Sequence, residues 1–100
     1  MNFVSKKGEL YMVSQKVKVV NPSGLHLRPA GNLCNIAMKF SSLVTFTYED
    51  GTANAKSVLS VLGACVKSGD EITVICEGND EVEALKELVS AVENGLGETD

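Results

Sequence analysis

An α+β two-layer sandwich is the fold class this sequence predicts, and three observations predict it. Four short segments rich in β-branched and aromatic residues alternate with three amphipathic stretches in the order β-α-β-β-α-β-α. Glu49-Asp50-Gly51 is a hairpin signal, so the two strands that it joins are antiparallel. Three helices are enough to cover one face of a four-stranded sheet. With 100 residues and no internal repeat or low-complexity linker, the chain reads as one domain over 12–100, preceded by an extension.

That extension, residues 1–11, shows no clear period and is expected to be loose and flexible; Met12 offers an alternative start. Gln15 to Val20, valine interleaved with lysine, is the first strand, and Asn21-Pro22-Ser23-Gly24 ends it. A helix begins near Pro29, whose fixed φ and missing N–H cost nothing in a first turn. Ala30, Leu33, Cys34 and Ala37 make its inner face, and Phe40-Ser41-Ser42 closes it. Leu43 to Tyr48 is the second strand, with Val44, Phe46 and Tyr48 on one side, and Thr52 to Ala55 is the third. Ser57 precedes a short helix carrying Val58, Leu59, Val61, Leu62 and Cys65, and Ser68-Gly69-Asp70 is another turn. Glu71 to Glu77 alternates around Ile72, Val74 and Cys76 as the fourth strand. Asp80 and Glu83 resemble a capping pair for the last helix, whose face is Val82, Leu85, Val89 and Val92 and which stops at Asn94-Gly95.

Composition narrows the function. A net charge of -4 and a pI near 4.9 argue against nucleic acid or an anionic membrane as the main partner, because both select clustered Lys and Arg. No apolar run approaches the roughly 20 residues that span a bilayer. Nor does 1–11 hold a stretch suited to a signal peptide, so a cytoplasmic protein is expected. Cys34, Cys65 and Cys76 lack a C-x-x-C spacing and sit among apolar residues, which reads as three buried thiols. A single histidine makes a His-based zinc site improbable.

That histidine, His26, stands in Gly24-Leu25-His26-Leu27-Arg28-Pro29-Ala30, just ahead of a helix. The first N–H groups of a helix lack partners within it and carry the positive end of its dipole. A phosphoryl group on His26 would meet those donors, and Arg28 is close enough in sequence to add a charge-assisted contact. An exposed nucleophile, an anion-binding helix end and a domain too small for a deep substrate cavity suit group transfer between proteins. A capping or packing histidine fits the same residues. Local chemistry leaves the two readings level.

Gly24-Leu25-His26-x-Arg28-Pro29-Ala30 resembles the active-site motif of HPr, the histidine-containing phosphocarrier family of the bacterial phosphoenolpyruvate-dependent sugar phosphotransferase system. Asn54-Ala55-Lys56-Ser57-Val58-Leu59 is similar to the family's second signature, around its regulatory serine. The spacing of the two motifs, the element order and the closing Glu77-Gly78-x-Asp80-Glu81-x-x-Ala84-Leu85 match as well, from about Met12 to Glu98. The resemblance implies an open-faced sandwich whose four-stranded sheet is antiparallel throughout, with the three helices on one face. It implies that His26 is phosphorylated on Nδ1, the pros nitrogen, by enzyme I from phosphoenolpyruvate, and that it donates to sugar-specific EIIA proteins or domains. Arg28 is then the phosphate-stabilising residue. No metal or organic cofactor is expected, and the chain is expected to act as a monomeric carrier, not an enzyme.

Ser57 sits where a helix N-cap is needed, and capping is a sufficient structural reason for it. In family members from low-GC Gram-positive bacteria the matching serine is phosphorylated, which implies a serine kinase/phosphorylase and a transcriptional co-regulator as further partners. By the same resemblance Leu59 and Leu62 match positions of the docking patch beside the histidine, with Leu27 joining them. Three positions depart from the family: Leu27 replaces a small residue, and Ser60 and Cys65 stand where many members carry glycine. The runner-up function is an HPr-like regulatory protein acting mainly through phosphorylated Ser57. An enzyme such as a phosphohistidine phosphatase or mutase ranks below both, since it needs a second acid/base group and the motif supplies neither another His nor a carboxylate.

Overall fold

The computed structural model describes residues 2–5 and 11–98. Along the chain run β1 (Asn2–Ser5), β2 (Tyr11–Lys18), α1 (Leu27–Ala37), β3 (Leu43–Tyr48), β4 (Gly51–Asn54), α2 (Val58–Gly63), β5 (Glu71–Glu77) and α3 (Glu81–Glu93). The strands form one sheet in the order β1-β2-β5-β3-β4, and each neighbouring pair is antiparallel. Strands β2 to β5 with the three helices are the open-faced two-layer sandwich that the sequence predicts.

The N-terminal segment departs from expectation. Asn2–Ser5 is not a loose extension but a fifth strand, paired with Tyr11–Ser14. Strand β2 accordingly starts at Tyr11, four residues before the expected Gln15, and ends at Lys18. A strand of four residues is too short to display a period of two, and it forms because the edge of β2 offers unpaired N–H and C=O groups. The remainder of the expected extension, residues 1 and 6–10, lies outside the described residues.

The core lies between the sheet and the helices. Val13 and Val17 of β2, Val44 and Phe46 of β3, and Ile72, Val74 and Cys76 of β5 alternate inward, as a period of two requires. Leu33 and Ala37 of α1 and Leu85, Leu88 and Val92 of α3 cover them. Each large side chain buried this way contributes roughly 1.5–3 kcal/mol. On the opposite face Lys16, Thr73, Thr47 and Thr52 stand in one cross-strand row, and polar residues there meet solvent without cost.

Three local expectations are corrected. Asp80 occupies the N-cap position of α3 but makes no capping hydrogen bond. Its carboxylate instead accepts from the N–H of Ser41 and from the N–H and hydroxyl of Ser42, tying the start of α3 to the turn that enters β3. Those hydrogen bonds, the Ser42 hydroxyl first, lower the Asp80 carboxyl pKa to about 2. Val82 is exposed, and Ala84 and Leu88 complete the inner face of α3 in its place. Cys34 and Cys76 are buried as expected, but Cys65 is exposed and left-handed, with φ 54°. That φ explains why a glycine suits the position.

Candidate functional site

The loop from Val19 to His26 is held partly by its own backbone and partly by the segment after α2. Gly24 N–H donates to Asn21 C=O at 3.1 Å, and Leu25 N–H donates to Val66 C=O at 3.0 Å in the segment between α2 and β5. Gly24 has φ +67°, and a Cβ there would stand 2.5 Å from the Val66 oxygen and 2.8 Å from the Lys67 Cα. Only glycine permits both that turn and that approach. Leu25, buried at the start of the motif, anchors the loop in the core.

The next residue, His26, is the N-cap of α1 and is extended (φ -76°, ψ -175°), while its ring makes no capping bond. Its C=O accepts the Ala30 N–H at 2.8 Å, the first hydrogen bond of the helix. Leu27, Arg28 and Pro29 fill the first turn, so the helix starts two residues before Pro29. Pro29 is buried and has no N–H to strand; the N–H groups of Leu27 and Arg28 have no partner among the described residues. An exposed imidazole thus stands over a helix end with two unused donors and no acidic residue in its first turn. Arg28 is exposed on that turn and makes no hydrogen bond or ion pair among the described residues, so its guanidinium is available to an anion.

Around His26 lies a shallow depression of about 330 Å³, walled by Leu27, Leu62, Cys65, Val66 and Lys67. The structure therefore brings His26, Leu27 and Leu62 together at this depression, whereas Leu59 does not line it. Leu27 is 69% and Leu59 83% exposed, far more than large apolar side chains with only a packing role need be. Val61 alone of the α2 helix is fully buried, and Leu62 is intermediate. Ser57 caps α2, its hydroxyl accepting the Ser60 N–H at 3.2 Å. Ser60 has a structural use of its own: its Oγ accepts the Asn54 N–H at 2.9 Å and joins α2 to the end of β4. Among the described residues no group of three His, Cys, Asp or Glu side chains is placed to hold a metal ion. No helix among them is long and apolar enough to cross a membrane.

One residue beside the site carries no signal in the sequence pattern. Glu98, behind α3, accepts hydrogen bonds from Ser23 N–H at 3.0 Å, Ser23 Oγ at 2.7 Å and Asn21 Nδ2 at 3.2 Å. A contact across 75 residues leaves no periodic trace; the only cue was a polar residue following two closely spaced glycines, Gly95 and Gly97.

Comparison with known proteins agrees with this geometry. The family model of the PTS HPr component phosphorylation site matches residues 13–94. Phosphocarrier protein HPr of Lysinibacillus sphaericus is 38% identical over 88 residues, covering 87% of this chain and 100% of that protein. HPr-like protein Crh of Bacillus subtilis is 39% identical over 82 residues, covering 82% and 96%. Among solved structures, HPr from Thermoanaerobacter tengcongensis superposes with a TM-score of 0.83 at 34% identity, over 88% of this chain and 99% of that one. An exposed histidine at the N-cap position of a helix, in this sheet order and with these relatives, has one family explanation: the chain belongs to the HPr family, the phosphocarrier proteins of the bacterial phosphotransferase system.

Proposed function

We propose that this chain carries phosphoryl groups on Nδ1 of His26, taking them from enzyme I at the expense of phosphoenolpyruvate and passing them to EIIA proteins or domains. The observation that carries this reading is the exposed His26 ring, free of any capping bond, at the open N-terminus of α1. In transfer to His26 the N–P bond forms as the donor's bond to phosphorus breaks, and the electron pair leaves on the donor. The extra negative charge then lies against the Leu27 and Arg28 N–H groups and within reach of the Arg28 side chain. The return step reverses each bond change. Because the acceptor is regenerated only by a second protein, the chain acts as a carrier and not as an enzyme.

Leu27, Leu59 and Leu62 supply the apolar part of the docking surface, sized for a transient encounter. The working unit is a single domain that includes β2 from Tyr11 onward, a cytoplasmic monomer. The test is incubation with phosphoenolpyruvate and enzyme I: an acid-labile phosphoryl group that His26→Ala abolishes is the expected result. A wild-type chain that takes up no label overturns the reading.

The similarity to HPr-like protein Crh supports a second role. In it a serine kinase/phosphorylase modifies Ser57, and the product meets a transcriptional co-regulator. A phosphate on Ser57 would sit at the N-terminus of α2 and place a dianion one residue from Val58 and two from Leu59. That charge would weaken docking of enzyme I on the apolar patch. ATP-dependent labelling at Ser57 with none at His26 would make this the main function.

A further inference from the structure

Helix α3 ends in a closure that carries the chain back to the loop before His26. Gly95 N–H donates to Val92 C=O and Leu96 N–H to Ala91 C=O, the Schellman pattern, with Gly95 at φ 86°. Leu96 is buried beneath it, and Asn32 of α1 donates from Nδ2 to Leu96 C=O at 2.7 Å. Gly97 makes room for that amide, since a Cβ there would stand 3.0 Å from Asn32 Nδ2. The tail is thereby fastened to α1 before Glu98 reaches Ser23 and Asn21.

The loop that Glu98 meets satisfies itself only in part: Gly24 N–H donates to Asn21 C=O and Asn21 Nδ2 donates back to Gly24 C=O. Asn21 is 1% exposed, and its Oδ1 is buried with no hydrogen-bond partner among the described residues. An orphan of this kind costs about 1–3 kcal/mol, so the loop conformation must be held from outside. Val66 C=O holds it on one side, through Leu25 N–H. The Glu98 carboxylate holds it on the other, taking three converging donors at once.

We propose that Glu98 is a positioning residue for phosphoryl acceptance: its carboxylate clamps the Asn21–Gly24 loop and so fixes the backbone from which His26 presents its ring. The proposal rests on the phosphocarrier reading of His26. The hydrogen bonds from Ser23 N–H first, then Ser23 hydroxyl and Asn21 amide, hold the Glu98 carboxyl below the usual carboxylate range. Glu98 is therefore an anion whenever the carrier works. It touches no reacting atom, and its effect passes through Ser23 and Asn21.

The test measures phosphorylation of the full chain by enzyme I and phosphoenolpyruvate, in wild type, Glu98→Ala, Glu98→Gln and Ser23→Ala with Glu98→Ala. Glu98→Ala should lower kcat about tenfold with little change in KM for the carrier, since misplacement of a reacting group costs rate and the docking leucines are untouched. Glu98→Gln keeps an acceptor for Ser23 and should recover most of the loss. Adding Ser23→Ala to Glu98→Ala should cost nothing further, as a shared clamp requires. Faster amide exchange at Ser23 in Glu98→Ala reports loss of the clamp independently of phosphorylation. An unchanged kcat for Glu98→Ala beside a labelled wild type overturns the proposal, as does a Gln variant no better than the Ala variant. An unlabelled wild type sinks the phosphocarrier reading, and this role for Glu98 with it.

Discussion

The Asp80 carboxylate accepts both the N–H and the hydroxyl of Ser42, two residues that lie 38 apart in the chain. Through them, the turn that opens α3 is bound to the turn that enters β3. The usual Asp value is near 3.8 and the folded one about 2, so this contribution to stability is complete above roughly pH 4 and is lost as pH falls toward 2. Asp80→Asn should lower the urea midpoint at pH 6 and leave it nearly unchanged at pH 2. An equal loss at both pH values would contradict the assignment.

Gly24→Ala should damage both fold and function. The new Cβ would collide with Val66 and Lys67 backbone atoms, and φ +67° adds about 1–2 kcal/mol of strain. Thermal unfolding should show a loss of at least about 2 kcal/mol. Phosphoryl uptake on His26 should fall beyond what the lost folded fraction explains.

Cys65 offers the reverse case. Its φ of 54° costs an L-residue about 1 kcal/mol, net of the extra freedom glycine has when unfolded. Cys65→Gly should therefore stabilise the chain by up to about 1 kcal/mol in urea titration. In native protein one thiol should react readily with an aromatic disulfide reagent, and Cys65→Gly should remove that reaction. Burial, with the Glu81 and Asp80 carboxylates adding to it, pushes the Cys76 thiol up to about 12 and keeps it inert.

Leu59 and Val61 separate docking from packing within one helix. Leu59 is 83% exposed, so Leu59→Ala should change stability by less than about 0.5 kcal/mol while raising KM for enzyme I severalfold. Val61 is fully buried, and Val61→Ala should cost about 2 kcal/mol. Equal stability losses would mean that Leu59 packs and does not dock.

Much of this molecule was legible without coordinates. Strands β3 and β5 lie where alternation around Phe46 and Val74 places them, because a half-buried sheet imposes its period directly on the sequence. The same holds for the α1 face of Ala30, Leu33, Cys34 and Ala37, and for His26 just ahead of a helix, although that helix opens at Leu27 and not at Pro29. Period and cap are local properties, and a local sequence can state them. Asn2–Ser5 could not be placed that way, since four residues are too few to show a period and its partner Tyr11–Ser14 supplies the hydrogen bonds. Asp80 reads as a helix cap in isolation, yet the two serines near β3 compete for its oxygens and win. Tertiary structure alone decided how far Leu27 and Leu59 stand in solvent and which residue holds the loop before His26. Glu98 reaches Ser23 because α3 packs on the sheet and the chain turns at Gly95, and a hydrogen bond across 75 residues leaves no pattern along the chain to read.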